Sequence, residues 1–282
     1  MAKSKKLIKS ETYESVTGPI EFNLTNDYMF KAVVQESKEA QKGLISAVLM
    51  VSPESLQVEV INPVELGKSI SEKDFYLDVN VLVNNTKYIN LEMQISNLGN
   101  WQERSIGYLG RSFDEKIEKG MDYRKASAVH QIGFVNFDVF EGKNRFLENF
   151  KLKNEDSSRI FSDKFIISVV NLKRIDEATD KDKEYKLDEW CRLLTAPTWE
   201  ELREIAKEDR YMEATARKMY ELSSDFEIRE SAIRRAEYYA CVDGLKRDVA
   251  ERDEAIAERD ETIAEQNALI EDLKRQLLEL QK

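Results

Sequence analysis

The chain predicts an α/β fold followed by a helical region and a C-terminal coiled coil. Three observations carry this. Residues 74–94 alternate apolar and polar side chains with period two, the pattern of a half-buried β-hairpin. Segments with helical spacing and capping residues lie before and after it. From about residue 224 the sequence settles into a seven-residue repeat, with no proline and one glycine, Gly244.

In the hairpin, Phe75, Leu77, Val79, Val81 and Val83 alternate with Tyr76, Asp78, Asn80 and Leu82. After Asn84-Asn85-Thr86 the alternation resumes, with Ile89, Leu91, Met93 and Ile95 against Tyr88, Asn90, Glu92 and Gln94. A three-residue loop, with an Asn in the left-handed position that glycine usually takes, sets Val81 opposite Ile89 and Val79 opposite Leu91. Leu77 then meets Met93 and Phe75 meets Ile95, so one face is wholly apolar. A two-residue loop would mix the faces, and a one-residue slip moves a whole hydrophobic set. On the polar face the same register opposes Tyr76 to Gln94, Asn80 to Asn90 and Asp78 to Glu92. Two carboxylates about 4.5–5.5 Å apart at Cβ repel, so solvent, a cation, a proton or a metal must offset them. Paired carboxylates with a few more oxygens suit hard Mg²⁺ or Mn²⁺.

The other elements follow in order. Residues 1–18 are polar and read as a poorly ordered, solvated tail. Thr25 or Asn26 caps a helix through Tyr28, Met29, Phe30, Val33 and Val34. Ser37 caps a second helix over 38–51, ended by Pro53, and Asp27 favours the first helix's dipole. Residues 56–61 read as a strand, broken by Asn62-Pro63. A helix over 101–118 spaces Ile106, Leu109, Phe113 and Ile117 for one buried stripe. Residues 130–140 and 165–172 read as strands, with His130 at a strand edge as a structural hydrogen-bonder. Residues 143–154 form a charged connection or hairpin between them.

Residues 185–194 and 198–222 are helical, and Thr198-Trp199-Glu200-Glu201 fits a capping box. Trp190, Leu193, Leu194 and Trp199 read as core. In the tail Val242, Val249, Ile256, Ile263, Ile270 and Leu277 recur every seven residues. The other seam position is polar in the middle (Arg252, Arg259, Gln266) and apolar at the ends (Leu245, Leu273, Leu280). This predicts a homodimer or higher homo-oligomer of modest stability.

Composition narrows the function. Of 282 residues, 34% are charged, and the formal net charge is −11. That opposes a broad electrostatic hold on nucleic acid and leaves local patches or metal-mediated contact with phosphate. Cys191 and Cys241 form no disulfide framework or zinc motif and suit a reducing cytoplasm. No apolar run is long enough to cross a bilayer, and the lysine-rich start lacks a signal peptide's apolar region. The single histidine, His130, excludes a His-rich metal site.

Asp78, followed on the next strand by Glu92-Met93-Gln94, resembles the D…(D/E)-x-K core of the PD-(D/E)XK nucleases, with Gln in place of Lys. Thr25-Asn26-Asp27-Tyr28-Met29-Phe30-Lys31 precedes it, and Trp101-Gln102-Glu103-Arg104-Ser105…Tyr108 follows. Together these resemble the PD-(D/E)XK nuclease family transposases, or recombination-promoting nucleases, from about residue 23 to 171 and more weakly to 220.

The resemblance implies a restriction-endonuclease-like core, a mixed central sheet flanked by helices. With the polar start and the heptad repeat, it divides the chain into a flexible tail (1–20), a nuclease-like domain (21–175), a helical extension (176–223) and a long helix or coiled coil (224–282). It implies a Mg²⁺- or Mn²⁺-dependent endodeoxyribonuclease whose cuts in DNA promote recombination or serve mobile elements. Asp78, Glu92 and the backbone carbonyl of Met93 would hold the metal. Gln94 completes the catalytic set by orienting water or phosphate, because its amide does not titrate.

Asp27 is a second-rank metal candidate, and Lys31 or Lys73 could activate water. Gln102, Arg104 and Tyr108 lie on the helix beside the site, where Arg104 and Arg111 could grip phosphate. A coiled-coil dimer would suit a double-strand cut. Two alternatives stand beside this, and the acidic balance, the absent Lys and the long heptad tail favour the first of them. One is a catalytically silent member of the fold that assembles through its tail, and the other is a plain coiled-coil scaffold.

Overall fold

The structure is a computed structural model that describes residues 12–61, 78–117 and 119–280. Contacts divide the chain into two units, Met1–Arg235 and Ala236–Lys282.

In the first unit, Asn26 caps helix α1 (Asp27–Glu36) by accepting the Met29 N–H at 3.1 Å. Ser37 caps α2 (Lys38–Leu49) by accepting the Ala40 N–H at 3.0 Å. Six strands make one sheet: β1 (Val58–Val60), β2 (Val79–Val83), β3 (Lys87–Gln94), β4 (Ala128–Val135), β5 (Leu147–Lys153) and β6 (Ile160–Asn171). Their order is β1-β2-β3-β4-β6-β5. β1, β2 and β3 pair antiparallel, β3, β4 and β6 run parallel, and β5 closes the far edge antiparallel to β6. The mixed sheet is the expected one. Helix α3 (Trp101–Asp114) makes the crossover from β3 to β4.

The hairpin takes the predicted register, with Val79 opposite Leu91, Asn80 opposite Asn90 and Val81 opposite Ile89. Asn84 (φ 48°) and Asn85 (φ 54°) are both left-handed, so the turn uses two such residues. Val79, Val81, Val83, Ile89, Leu91 and Met93 enter the main core, as the alternation requires. The pairings expected for Phe75, Tyr76 and Leu77, and the position of Lys73, lie outside the described residues.

Helices α4 (Asp180–Glu184), α5 (Leu187–Thr195), α6 (Trp199–Ala206) and α7 (Arg210–Ser223) complete the unit. The expected helix over 198–222 is two helices, because Asp209 caps α7 by accepting the Tyr211 and Met212 N–H groups. Trp190, Leu193, Leu194 and Trp199 are core residues, as predicted. α7 packs on α1 and α2, and Met212, Ala216 and Met219 share one core with Leu44, Ile45 and Leu91. The helices after the sheet are therefore part of the same body.

Three expectations are corrected and a fourth is narrowed. First, residues 12–20 pack: Tyr13 and Val16 are buried, and Arg203 donates to the Tyr13 and Val16 carbonyls at 2.9 and 2.7 Å. Glu200 accepts the Gly18 N–H at 3.0 Å. Second, α3 buries Trp101, Ser105 and Leu109, while Ile106 is 64% exposed. The four-residue ladder begun by Trp101 sets the helix phase, and Ile106 falls off it. Third, His130 is 3% exposed inside central strand β4, not at an edge. Fourth, of the connection or hairpin expected over 143–154 the structure takes the hairpin, strand β5 pairing antiparallel with β6 and exposing most of its side chains.

Helix α8 (Phe226–Leu280) runs unbroken into the second unit. There Leu245, Val249, Ile256, Ile263, Ile270, Leu273 and Leu277 are about half exposed or more on the single chain, at 48–60%. Among the described residues no helix is long and apolar enough to cross a membrane.

Candidate active site on the polar face of the hairpin

The face of β3 opposite the main core carries Asn90, Glu92 and Gln94, all buried beneath α3 and its neighbours. Close approach of helix to sheet depends on Gly133 of β4. A Cβ there would lie 2.3 Å from Cζ2 of Trp101, so only glycine admits the indole that anchors α3. With Trp101 seated, Arg104 stands one turn on, over β3.

Arg104 Nη2 donates to Glu92 Oε1 and, at 2.6 Å, to Gln94 Oε1. Gln131 Nε2 donates to Glu92 Oε2 at 3.0 Å, so both oxygens of this carboxylate are held. Gln94 is held from its other end, its Nε2 donating to the Ser96 carbonyl at 2.8 Å. Asp78 lies one step past the last hairpin pair and points to the same side. Its Oδ2 accepts from Asn90 Nδ2 and, at 3.3 Å, from Asn80 Nδ2. Asn90 Nδ2 also donates to Asn80 Oδ1 at 2.7 Å, while Asn90 Oδ1 is buried with no hydrogen-bond partner. A cavity of about 200 Å³ opens beside these amides, lined by Asn80, Tyr88, Asn90, Lys116 and Gln131.

The electrostatics follow from this packing. Burial pushes the Glu92 carboxyl up to about 7. Arg104 pulls it back down, and the charges of Asp78 and Asp27 push it up. The expected repulsion between the hairpin acids is thus met by the Arg104 cation.

Asp27 is 2% exposed in the first turn of α1 and accepts Arg235 Nε at 2.6 Å. Lys31 is buried one turn later on the same helix. Met93 sends its side chain into the core, leaving only its backbone for the site. Tyr108 is half-buried one turn after Arg104. Gln102 is brought elsewhere: it is exposed, and its Nε2 donates at 3.4 Å to the Val139 carbonyl. Arg111 is exposed too. Gln131 escaped the sequence reading. Its signal is an amide beside His130 inside the mostly apolar run of β4, in register with Asn90.

Among the described residues no three His, Cys, Asp or Glu side chains gather into a ready-made metal cage. Magnesium rarely needs one, since it takes one or two carboxylates and completes its shell with water and substrate phosphate. Asp78 and Glu92, with the spare oxygen of Asn90 beside them, are an all-oxygen donor set of that kind.

A mixed sheet whose antiparallel hairpin feeds parallel strands, with an acid on each hairpin arm, defines an α/β protein of the PD-(D/E)XK nuclease fold. Within that fold the chain belongs to the PD-(D/E)XK nuclease family transposases, whose family model matches residues 24–243. No curated protein and no solved structure matches the chain.

Proposed function

We propose that the protein is a Mg²⁺- or Mn²⁺-dependent DNA endonuclease that promotes recombination or serves a mobile element. The observation that carries this is the convergence of Asp78 and Glu92 on one face, with the Arg104 guanidinium on Glu92 and Gln94. Asp78, Glu92 and the Met93 carbonyl hold the divalent ion, which supplies an activated water and offsets charge at the attacked phosphate. The motif position that carries Lys elsewhere in the fold is Gln94, and the cation comes instead from Arg104 of α3. Gln94 positions that guanidinium by accepting from it. On substrate binding Arg104 can exchange Glu92 for a phosphate oxygen, which it also meets with planar N–H donors. Asp27 adds a negative charge that Glu92 feels. Copies pair through α8, and two cysteines without a disulfide framework suit a cytoplasmic protein.

The test is cleavage of supercoiled plasmid by purified protein with Mg²⁺ or Mn²⁺. Nicked or linear product is expected, lost in Asp78→Ala and in Glu92→Ala. Cleavage that survives both substitutions overturns the reading. A second reading has its own support: both Glu92 oxygens are committed within the chain, and the net charge is −11. On that reading the site is silent and the protein assembles through its tail. Wild-type protein inert with every divalent ion decides for it.

A further inference from the structure

The heptads of α8 specify more than pairing. In a parallel dimer each seam residue faces its own copy. Arg252 would meet Arg252 and Arg259 would meet Arg259 at the centre of the seam, in layers that stable two-stranded coils fill with leucine. The flanking positions make this worse, because Asp248 of one copy would face Asp253 of the other, twice per dimer.

Antiparallel pairing removes every one of these clashes. Each Val/Ile/Leu of the first seam position then packs against a residue of the second. Centred on Glu261, the pairing sets Leu245 against Leu277 and Val249 against Leu273. Arg252 falls on Ile270, Ile256 on Gln266 and Arg259 on Ile263. The apolar ends of one copy meet the apolar ends of the other. Each central Arg lays its stem over an isoleucine and turns its head to water. Side chains lean toward their helix N-terminus, so in this sense flanking residues reach toward each other across the seam. Asp253 then meets Lys274 twice, and Ala255 meets Leu269. Sliding the dyad half a heptad toward the N-terminus sets Asp260 against itself and Lys246 against Lys274. Sliding it the other way takes Asp253 off Lys274 and sets it against Gln281.

We propose that a second copy of this chain covers the exposed apolar stripe of α8 in the antiparallel sense, with the dyad at Glu261. The register uses nearly the whole second unit, Ala236–Lys282. It also lies almost entirely beyond Asp243, where the family match ends. At 1.5 Å rise per residue, the two copies of Ala236 stand about 75 Å apart. The proposal rests on the pairing through α8 given above and adds its direction and register.

The full-length protein carries its own probe. Cys241 is exposed and Cys191 is fully buried, so a nitroxide maleimide labels Cys241. Pulsed dipolar spectroscopy of the labelled dimer should give a distance of about 60 Å, from twenty residues of rise on either side of the dyad. A distance below about 20 Å means parallel helices and overturns the direction while leaving the pairing intact. Light scattering that finds only monomer overturns both.

Asp253→Lys gives an independent sign. It puts Lys against Lys274 in the antiparallel dimer and should weaken association roughly tenfold at low salt, with recovery in Asp253→Lys/Lys274→Asp. In a parallel dimer the same substitution would face Asp248 and tighten association, which overturns the proposal.

Discussion

The guanidinium of Arg104 donates to Glu92 Oε1, so the positive charge at this acid comes from helix α3, not from the strand that carries the acid. A pair of this kind is maintained by contact, and its removal should be felt in stability before any reaction is considered.

Arg104→Met leaves Glu92 buried without its cation. Breaking a fully buried pair costs roughly 3–5 kcal/mol. The Arg104 side chain is 23% exposed, so screening lowers the expectation to about 2 kcal/mol. Urea denaturation should show that loss in Arg104→Met. Most of it should return in Arg104→Met/Glu92→Gln, where no buried charge is stranded. Equal stability of wild type and Arg104→Met would show the pair to be incidental.

Gly133→Ala should destabilise the protein by about 1–3 kcal/mol, because the new methyl meets the Trp101 ring and has no room to enter. Trp101→Leu in that background should recover part of the loss. Gly107→Ala is the matched control. It lies in α3, the helix that carries Trp101, with nothing within 4 Å of the added carbon, and it should stabilise by about 0.5–1 kcal/mol. Thermal denaturation of the three variants decides.

His130 predicts a pH dependence. Ser168 Oγ gives its one proton to Asn149, so His130 Nε2 donates to Ser168 at 2.7 Å, and Nδ1 is buried without a partner. Burial pulls this histidine down to about 3 from an ordinary 6.5, with Lys87 and Lys151 adding to the shift. The folded protein therefore stays neutral at His130 where the unfolded chain has already bound a proton. Stability should fall as pH drops from about 6.5 toward 3, and should not depend on this group above that range. The difference between wild type and His130→Asn, followed by urea midpoints across that window, isolates the contribution.

Deleting residues 244–282 removes the heptads and keeps the family-matched span. The truncated protein should unfold at a temperature close to that of the full chain, since no core residue of the first unit is lost. It should run as a monomer by light scattering. A dimer of unchanged affinity would place the contact elsewhere.

The hairpin was legible because its two arms state their register twice, once in the apolar set from Val79 to Met93 and once in the three-residue loop with an asparagine able to turn left-handed. The acids followed, since alternation alone puts Asp78 and Glu92 on one side. What fills the space above them was not legible. The contacts of Arg104 and Gln131 depend on how far α3 sits from the sheet, and a single absent Cβ at Gly133 sets that distance. The phase of α3 was misread because Ile106 looked like core by hydrophobicity, whereas Trp101 and Ser105 define the buried line. Strand β5 was legible only as one of two options, connection or hairpin, because it is exposed on most of its length and has no apolar alternation to display.

The clasp of residues 12–20 by Glu200 and Arg203, and the seating of α1 and α2 against α7, carry a consequence for synthesis. A ribosome delivers the sheet and both hairpin acids well before it delivers the helices that cover the first two. While it is being made, the nascent polypeptide therefore presents Leu44, Ile45 and their neighbours bare, awaiting a cover still in the tunnel. Any fragment cut after the last strand would be left permanently in that state, a sticky intermediate more than a minimal catalytic module.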